Sequence, residues 1–500
     1  MLPSQQTKIL AILVKYHQAI SSGPFDLGHC TLIKHKVGLK HTTPIYQKQF
    51  RIPDMHLDII NKYVDRLLAL GVIIPATSKY NSPIFCVKKP HADKNDPLEK
   101  KFRCVLDMRA LNQALQPDTY CSMGIQDCID KIGYSNSTIF TTIDLVSSFW
   151  QQELHEDSRH LTSFTVPGRS SFSFTRLPMG MSCSPAAFSR LMTFIMKDLD
   201  FILTFVDDLI TFSSSFTAHC SHLEKVLEVL QRHNLKINLD KCRFVQTTVV
   251  YLGYTLSSKG IQPSPEKTKA LAQTHPPTTL RQVRAFLGLA NYFRHMIPKY
   301  TEIANPLYQM LQKQSRWKKG PLPPNALQSF LQLRKALTSS PVVAFPRKNK
   351  RFCLTSDASA VGFGAYLSQV DPTTNTEQVS SYASRSLRTH EKNYSAFLLE
   401  LAAATWAIDF FSPYLKNRAF TLRCDHQPLE ALGKTHTKTL NRLQQLMNDF
   451  PCTIQYIKGK SNQVADFLSR HPIDEVSILK NAVMPLPTSH AKMKILQSKI

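Results

Sequence analysis

The run TFVDDLITFS, residues 204–213, sets two adjacent carboxylates, Asp207 and Asp208, inside a stretch whose apolar and β-branched residues otherwise spell a strand. Two like charges side by side repel, and each resists leaving water, so the pair is tolerated only where it stays solvated or meets something strongly positive. FILTF and LITFS flank the acids, which puts them at the tip of a hairpin, where Asp is a natural turn residue. A second β-branched run, STIFTTIDL, also stops on an acid, Asp144. If the two runs are neighbours in one sheet, three acids converge at its edge. Two hard divalent cations held by such oxygens, about 3.5–4 Å apart, stabilise the attacking and leaving oxygens of an in-line phosphoryl transfer. The same residues also suit a solvated turn and a strand terminator, and alone they leave both readings open.

The rest of the chain organises around that edge. Five hundred residues exceed one ordinary core and point to about three domains at roughly 100–200 residues each. HLDIINKYVDRLLALGVI carries a helical apolar face, Leu57, Ile60, Val64, Leu67 and Leu68, ending at Gly71. NSPIFCVKK and KFRCVLDMR read as a hairpin around the polar loop HADKNDPLEK. After the two acids, HLEKVLEVLQRHNLKI is amphipathic through Leu223, Val226, Leu227 and Leu230 and ends near Asn234. VVYLGYTLSSKG reads as a strand pair. Short helices cut by prolines follow, then the basic, Pro-rich QKQSRWKKGPLPPN as a linker. A second α/β pattern begins at RFCLTSDAS, a strand again ending in an acid, Asp357. Glu400 falls on its long helix, Asp425 ends a later strand, and Asp466 lies in a final helix within SNQVADFLSR. Each of these acids alone fits a cap or a turn.

Composition bounds the partners. Lys and Arg number 61 against 36 Asp and Glu, a net charge of +25, which suits a polyanion, either nucleic acid or an anionic membrane surface. The eleven cysteines show no C-x-x-C and no zinc-finger spacing, which fits reduced thiols in an intracellular protein. Cys220 with His219 and His222 is the nearest approach to a metal cluster, but these residues open an amphipathic helix. No stretch reaches the ~18 apolar residues of a membrane span, and MLPSQQTKIL lacks a signal-peptide core.

YNSPIFCVKKP, KFRCVLDMRALN, TTIDLVSSFWQ, SFTRLPMGMSCSPAAFSRLM, TFVDDL and YLGYTLSSKGI resemble, in that order, the fingers and palm motifs of retroviral and LTR-retrotransposon reverse transcriptases, the gypsy type above all. TSDASAVGFGAYLSQ, NYSAFLLELAA, LRCDHQPL and KGKSNQVADFLSR resemble the ribonuclease H domain of the same elements. The resemblance implies an α+β and α/β multidomain chain, a right-hand polymerase followed by a ribonuclease H-like α/β domain. It divides the chain into an N-terminal extension (1–50), fingers and palm (51–256), a helical thumb or connection (257–325), a linker (326–350), the ribonuclease H-like domain (351–471) and a mobile tail (472–500). It implies copying of RNA or DNA into DNA from a primer, and degradation of the RNA of the hybrid.

Carried over residue by residue, the resemblance makes Asp144, Asp207 and Asp208, and separately Asp357, Glu400, Asp425 and Asp466, the catalytic acids and ligands of two Mg2+ ions per centre, with Mn2+ as a substitute. Lys89 and Arg103 fall where the family grips the incoming deoxynucleoside triphosphate, a point charge plus a forked guanidinium on phosphate oxygens. Phe149 matches the ring that excludes a 2′-hydroxyl, and Leu145 to Ser148, Ser147 included, run backbone N–H groups past the triphosphate. Phe85 and Arg109 match template contacts. Lys313, Arg316, Lys318 and Lys319 are candidate hybrid contacts or a solvated linker.

Two positions depart from the pattern. Met179 stands where many retroviral enzymes have Gln, and a thioether donates no hydrogen bond, so nucleotide affinity rather than chemistry is at stake. Ile457 stands where ribonucleases H often have a mobile His, and His426 reads as a structural strand-end residue. The implied partners are an RNA template, a DNA primer, their hybrid, nucleotides and other Gag or Pol products, with no membrane; the implied setting is a cytoplasmic particle or the nucleus. Two alternatives are a retroelement copy that binds nucleic acid without catalysis, and a cellular reverse transcriptase of telomerase or group II intron type. The seven intact acids speak against the first, and the fused ribonuclease H-like region against the second.

Overall fold

The computed structural model describes residues 2–23, 26–89, 93, 97, 101–297, 300–338, 343–359, 362–371, 376–424 and 450–456. The chain divides into two compact units, the first running to Tyr251 and the second beginning at Leu252. The hairpin that follows Tyr251 packs with the second unit.

The first unit opens with α1 (Pro3–Lys15) and β1 (Cys30–His35). Next comes α2 (Asp54–Ala69), which buries Ile59, Ile60, Val64 and Leu67. Gly71, at φ 63°, turns the chain out of it in a conformation that favours glycine. After β2 (Ile73–Pro75), the strands β3 (Ile84–Lys88) and β4 (Phe102–Leu106) pair antiparallel, as their sequence predicts. The helices α3 (Arg109–Ala114) and α4 (Ile125–Tyr134) lead to β5 (Ile139–Asp144). Three short strands follow, β6 (Gln152–Leu154), β7 (Phe164–Thr165) and β8 (Ser171–Phe174), then α5 (Ser184–Ile195). The hairpin of β9 (Ile202–Phe205) and β10 (Asp208–Ser213) is followed by α6 (Phe216–Arg232), β11 (Arg243–Gln246) and β12 (Thr248–Tyr251). Ser215 caps α6 by accepting the Ala218 N–H, and Asn234, at φ 50°, ends it.

The central sheet has the order β11–β5–β10–β9. Its strand alternation sorts two chemistries onto opposite faces. Ile143 and Leu209 share one buried core with Phe188 and Leu191 of α5 and with Leu223 and Leu227 of α6. Fully burying such a side chain contributes about 1.5–3 kcal/mol. The acids Asp144 and Asp208, one residue out of phase, fall on the other face. Helix α1 buries Ile9, Ile12 and Leu13 in this same core, so the N-terminal region expected as an extension is built into the body that carries the acids.

The second unit begins with the hairpin β13 (Tyr254–Ser257) and β14 (Gly260–Pro263). The helices α7 (Pro265–Gln273), α8 (Leu280–Tyr292) and α9 (Tyr300–Met310) form the expected helical region, with Pro306 inside the last. Residues 326–350, expected as a linker, instead contain most of α10 (Pro324–Thr338), whose Ala326, Phe330, Leu333 and Leu337 are buried. Their helical spacing is the reason, and the Pro-rich composition just upstream masked it.

The remaining elements are β15 (Phe352–Ala358), β16 (Gly362–Val370), β17 (Glu377–Ser386), α11 (Ala396–Phe410), β18 (Phe420–Cys424) and β19 (Cys452–Tyr456). They give a five-stranded sheet, β17–β16–β15–β18–β19, antiparallel through β15 and parallel beyond it. Leu401, Ala404, Ala407 and Ile408 of α11 pack on Leu354 and Leu422 of this sheet. Asp425, His426, Ile457, Asp466, the helix expected over SNQVADFLSR and the tail from residue 472 lie outside the described residues.

Candidate active site

The hairpin tip has the predicted form. Val206, at φ 58°, makes the turn together with Asp207, and Asp208 opens β10 opposite Phe205. Across the sheet Asp208 is in direct register with Asp144 of β5. Like charges facing each other across an antiparallel pair are destabilising, so this register carries a cost unless a cation offsets it. Part of that cation is supplied by the chain itself: the Lys241 ammonium lies 3.4 Å from Asp144 Oδ1, with the Asp144 side chain 37% exposed.

The expected convergence of three acids is met only in part. The backbone brings Asp144 and Asp208 opposite one another with Asp207 next in line, yet among the described residues no three His, Cys, Asp or Glu side chains are gathered closely enough to hold a metal ion. The same finding removes the His219–Cys220–His222 cluster as a metal site. His219 is fully buried, 2.7 Å from Thr141 Oγ1 and 2.9 Å from Ser213 Oγ, and His222 stacks on Phe201. Burial lowers the His219 pKa to about 4, so a neutral ring ties α6 to the back of the strands that carry the acids.

The segment after Asp144 is held by its backbone. Leu145 is buried, Ser147 adopts a left-handed conformation at φ 45°, and Ser148 opens a short 3-10 turn with its side chain buried. Phe149 packs edge-on against Phe188 with ring centres 5.8 Å apart. Gln151, fully buried, fixes this turn: its amide donates to the carbonyls of Val146 (2.7 Å) and Lys236 (2.9 Å) and accepts the Lys236 N–H (2.7 Å).

On the β3–β4 hairpin Lys89 and Arg103 are both exposed, and the Lys89 N–H donates to the Lys101 carbonyl at 2.8 Å. Phe85 meets the ring of Phe50 edge-on. Arg109 forks onto Asp107, Nε to Oδ1 at 2.8 Å and Nη2 to Oδ2 at 2.6 Å, which holds the Asp107 carboxyl below the usual carboxylate range. Met179 is 44% exposed on a turn whose Gly180 has φ 102°. That turn is clamped by Asn112 of α3, whose amide donates to the Gly180 carbonyl (2.9 Å) and accepts the Ser182 N–H (2.8 Å).

In the second unit Asp357 lies near the end of β15, 1% exposed, and Glu400 of α11 is 8% exposed. Glu400 Oε1 accepts the Ala358 N–H at 3.2 Å, which brings the helix acid beside the residue following Asp357. Lys313, Arg316, Lys318 and Lys319 are exposed.

The reverse transcriptase (RNA-dependent DNA polymerase) family matches residues 87–256, and the RNase H-like domain found in reverse transcriptase matches residues 323–422. The chain carries a reverse transcriptase domain followed by a ribonuclease H-like domain. It is 36% identical over 473 residues to the retrovirus-related Pol polyprotein from transposon 297 of Drosophila melanogaster, covering 94% of this chain and 43% of that protein. To the corresponding polyprotein from transposon gypsy of the same organism it is 33% identical over 476 residues, covering 92% of this chain and 45% of that protein. The chain thus spans less than half the length of these relatives. In fold it is similar to a foamy viral protease-reverse transcriptase solved in complex with double-stranded DNA, with a TM-score of 0.81, 22% identity, and coverage of 92% of this chain and 79% of that one.

Asp144, Asp207 and Asp208 lie within the residues matched by the reverse transcriptase domain, and Asp357 and Glu400 within those matched by the ribonuclease H-like domain. The latter match begins at residue 323 and so includes α10. Within the reverse transcriptase domain, sequence reasoning overlooked Asn112, Gln151 and Lys241. The first two stand inside motifs already quoted, KFRCVLDMRALN and TTIDLVSSFWQ. A polar side chain in an otherwise apolar turn was the available signal. Lys241, in an ordinary basic stretch, had none.

Proposed function

We propose that this chain is an RNA-directed and DNA-directed DNA polymerase with ribonuclease H activity, which extends a primer on a retroelement template and hydrolyses the RNA of the resulting hybrid. The observation that carries the reading is the register of Asp208 on Asp144, with Asp207 at the adjoining turn, inside a reverse transcriptase domain. A fold that sets two carboxylates opposite each other supports a function that needs their charge.

The donor set suits magnesium, or manganese in its place, since every candidate ligand is a hard carboxylate oxygen. Asp144, Asp207 and Asp208 would hold the ions at one centre, and Asp357 and Glu400, with Asp425 and Asp466, at the other. Bound there, the ions would neutralise the charge that builds on the attacking and leaving oxygens. The exposed Lys241 ammonium beside Asp144 Oδ1 would compete with an ion for that carboxylate.

The chain's own groups then bind and orient the reactants. Arg103 offers a planar fork, and Lys89 a mobile point charge, to triphosphate oxygens. The ring of Phe149, backed by Phe188, cannot retreat from a 2′-hydroxyl, which favours deoxynucleotides. Asn112 holds the Met179 turn in shape by its backbone, so the missing Gln amide leaves the turn intact. Arg109 reaches a template phosphate only by loosening its fork on Asp107. The net charge of +25 supports a long phosphate track, with binding that weakens steeply as salt rises.

Primer extension on an RNA template, with magnesium and deoxynucleotides, tests the reading against an Asp207→Asn/Asp208→Asn double variant. Extension by the wild type and none by the variant is expected. A wild type that binds hybrid but never extends would instead make the chain a nucleic-acid-binding protein.

A further inference from the structure

Cys86 and Cys104 face each other across the β3–β4 hairpin, in direct register and with their sulfurs 3.8 Å apart. The Lys89 N–H donates to the Lys101 carbonyl, and the Asp107 N–H to the Pro83 carbonyl. These two pairs mark residues 83, 85, 87 and 89 as the hydrogen-bonded positions of the ladder, which puts Cys86–Cys104 at a non-hydrogen-bonded position. Opposed Cα atoms approach to about 4.5 Å at such positions, within the span a disulfide accepts. Cys86 is half-buried and Cys104 is 8% exposed.

We propose that Cys86 and Cys104 are an oxidisable pair, closed by a disulfide-type oxidant into a cross-strand disulfide that acts as a reversible brake on nucleotide use. The Cys86 thiolate attacks one sulfur of glutathione disulfide, forming a mixed disulfide and releasing one glutathione thiolate. The Cys104 thiolate then attacks Cys86 Sγ and releases the second, and the two protein protons pass to the two glutathiones. Two thiols are oxidised and one disulfide is reduced.

Alternation along the strands places the pair on the hairpin face opposite Arg103, Phe85 and Val87. On that back face the sulfurs lie 3.9 and 4.0 Å from the carbonyls of His56 and Ile59 of α2. Closing the bond to about 2 Å turns both sulfurs toward each other and away from the α2 carbonyls, and it staples the two strands at this register. Arg103 adjoins Cys104, so the staple stiffens the hairpin that carries the guanidinium and limits its adjustment to a nucleotide. A shift of about 1 Å in a positioning group can cost on the order of 100-fold in rate. Burial raises the pKa of both thiols, so closure is slow at neutral pH and accelerates as pH rises.

The nucleotide effect rests on the polymerase reading; the bond itself does not. Full-length chain is treated with glutathione disulfide at pH 8, its remaining thiols are blocked, and it is digested and mapped by mass. The expected product is a Cys86–Cys104 linked peptide lighter by two hydrogens and opened by dithiothreitol, absent from Cys86→Ser, with kcat/KM for the nucleotide lowered by about tenfold or more. Glutathione caught only on the exposed Cys121 would overturn the pair. A linked enzyme with unchanged kcat/KM would overturn the brake.

Discussion

The two centres use the same acids in opposite surroundings. Asp144, Asp207 and Asp208 are half-exposed at a strand end and a hairpin tip, whereas Asp357 of β15 and Glu400 of α11 are 1% and 8% exposed. Water reaches the first set, and Asp144 takes a surface lysine as partner. The second set has no such freedom: Glu400 is fixed by the Ala358 N–H and by the packing of α11 on β15. The first set stands open to solvent, and the described acids of the second are built into its core.

The largest expected effect comes from acid. His219 under the first sheet and His295 in the second unit are both buried, and burial pushes each to about 4. The unfolded chain binds these protons near pH 6.5 and the fold refuses them until about 4, so stability falls as pH drops through that window and is flat below it. Each histidine contributes up to about 3 kcal/mol of this loss. Thermal unfolding between pH 7 and 4 should show the decline, and His219→Asn should reduce the first unit's share while leaving the second unit's unchanged; His29, His35, His222 and His233, each also lowered by burial, keep the remainder. An unchanged profile in that variant would remove the histidine from the account.

Smaller, and opposite in sign, are the effects of neutralising one acid in each centre. Glu400→Ala leaves the Ala358 N–H without its acceptor and should destabilise the second unit by about 1–3 kcal/mol. Asp208→Asn relieves a like-charge pair and should stabilise the first unit by about 0.2–1 kcal/mol while abolishing extension. If both variants lose stability, the contrast between an open and a built-in centre fails. Smallest is Lys241→Ala: this exposed pair is worth about 0–1 kcal/mol, so Tm should barely move and the change should appear in the magnesium concentration needed for extension.

The sequence showed much of this in advance, for physical reasons. The apolar and β-branched runs in TFVDDLITFS and STIFTTIDL marked both strands and the hairpin tip, because adjacent acids interrupt such a run most readily where it turns. The register of Asp208 on Asp144 was only conditional, since strand neighbours depend on tertiary packing. α10 was hidden by flanking prolines, and the role of α1 by the distance in sequence between Ile12 and the core it joins. Gln151 and Asn112 act through backbone groups of other segments, Lys236 and Gly180, which no local pattern reveals. The Cys86–Cys104 approach is of the same kind: it follows from register, and a scattered cysteine count concealed it.

The most direct measurement of the central claim is a crossed assay on one RNA–DNA substrate, with primer extension and RNA cleavage read in parallel for Asp208→Asn and Asp357→Asn. Two separate centres on one chain predict that the first variant loses extension by at least about 100-fold and keeps cleavage, and that the second does the reverse. Loss of both activities in either correctly folded variant, or of neither, would contradict it.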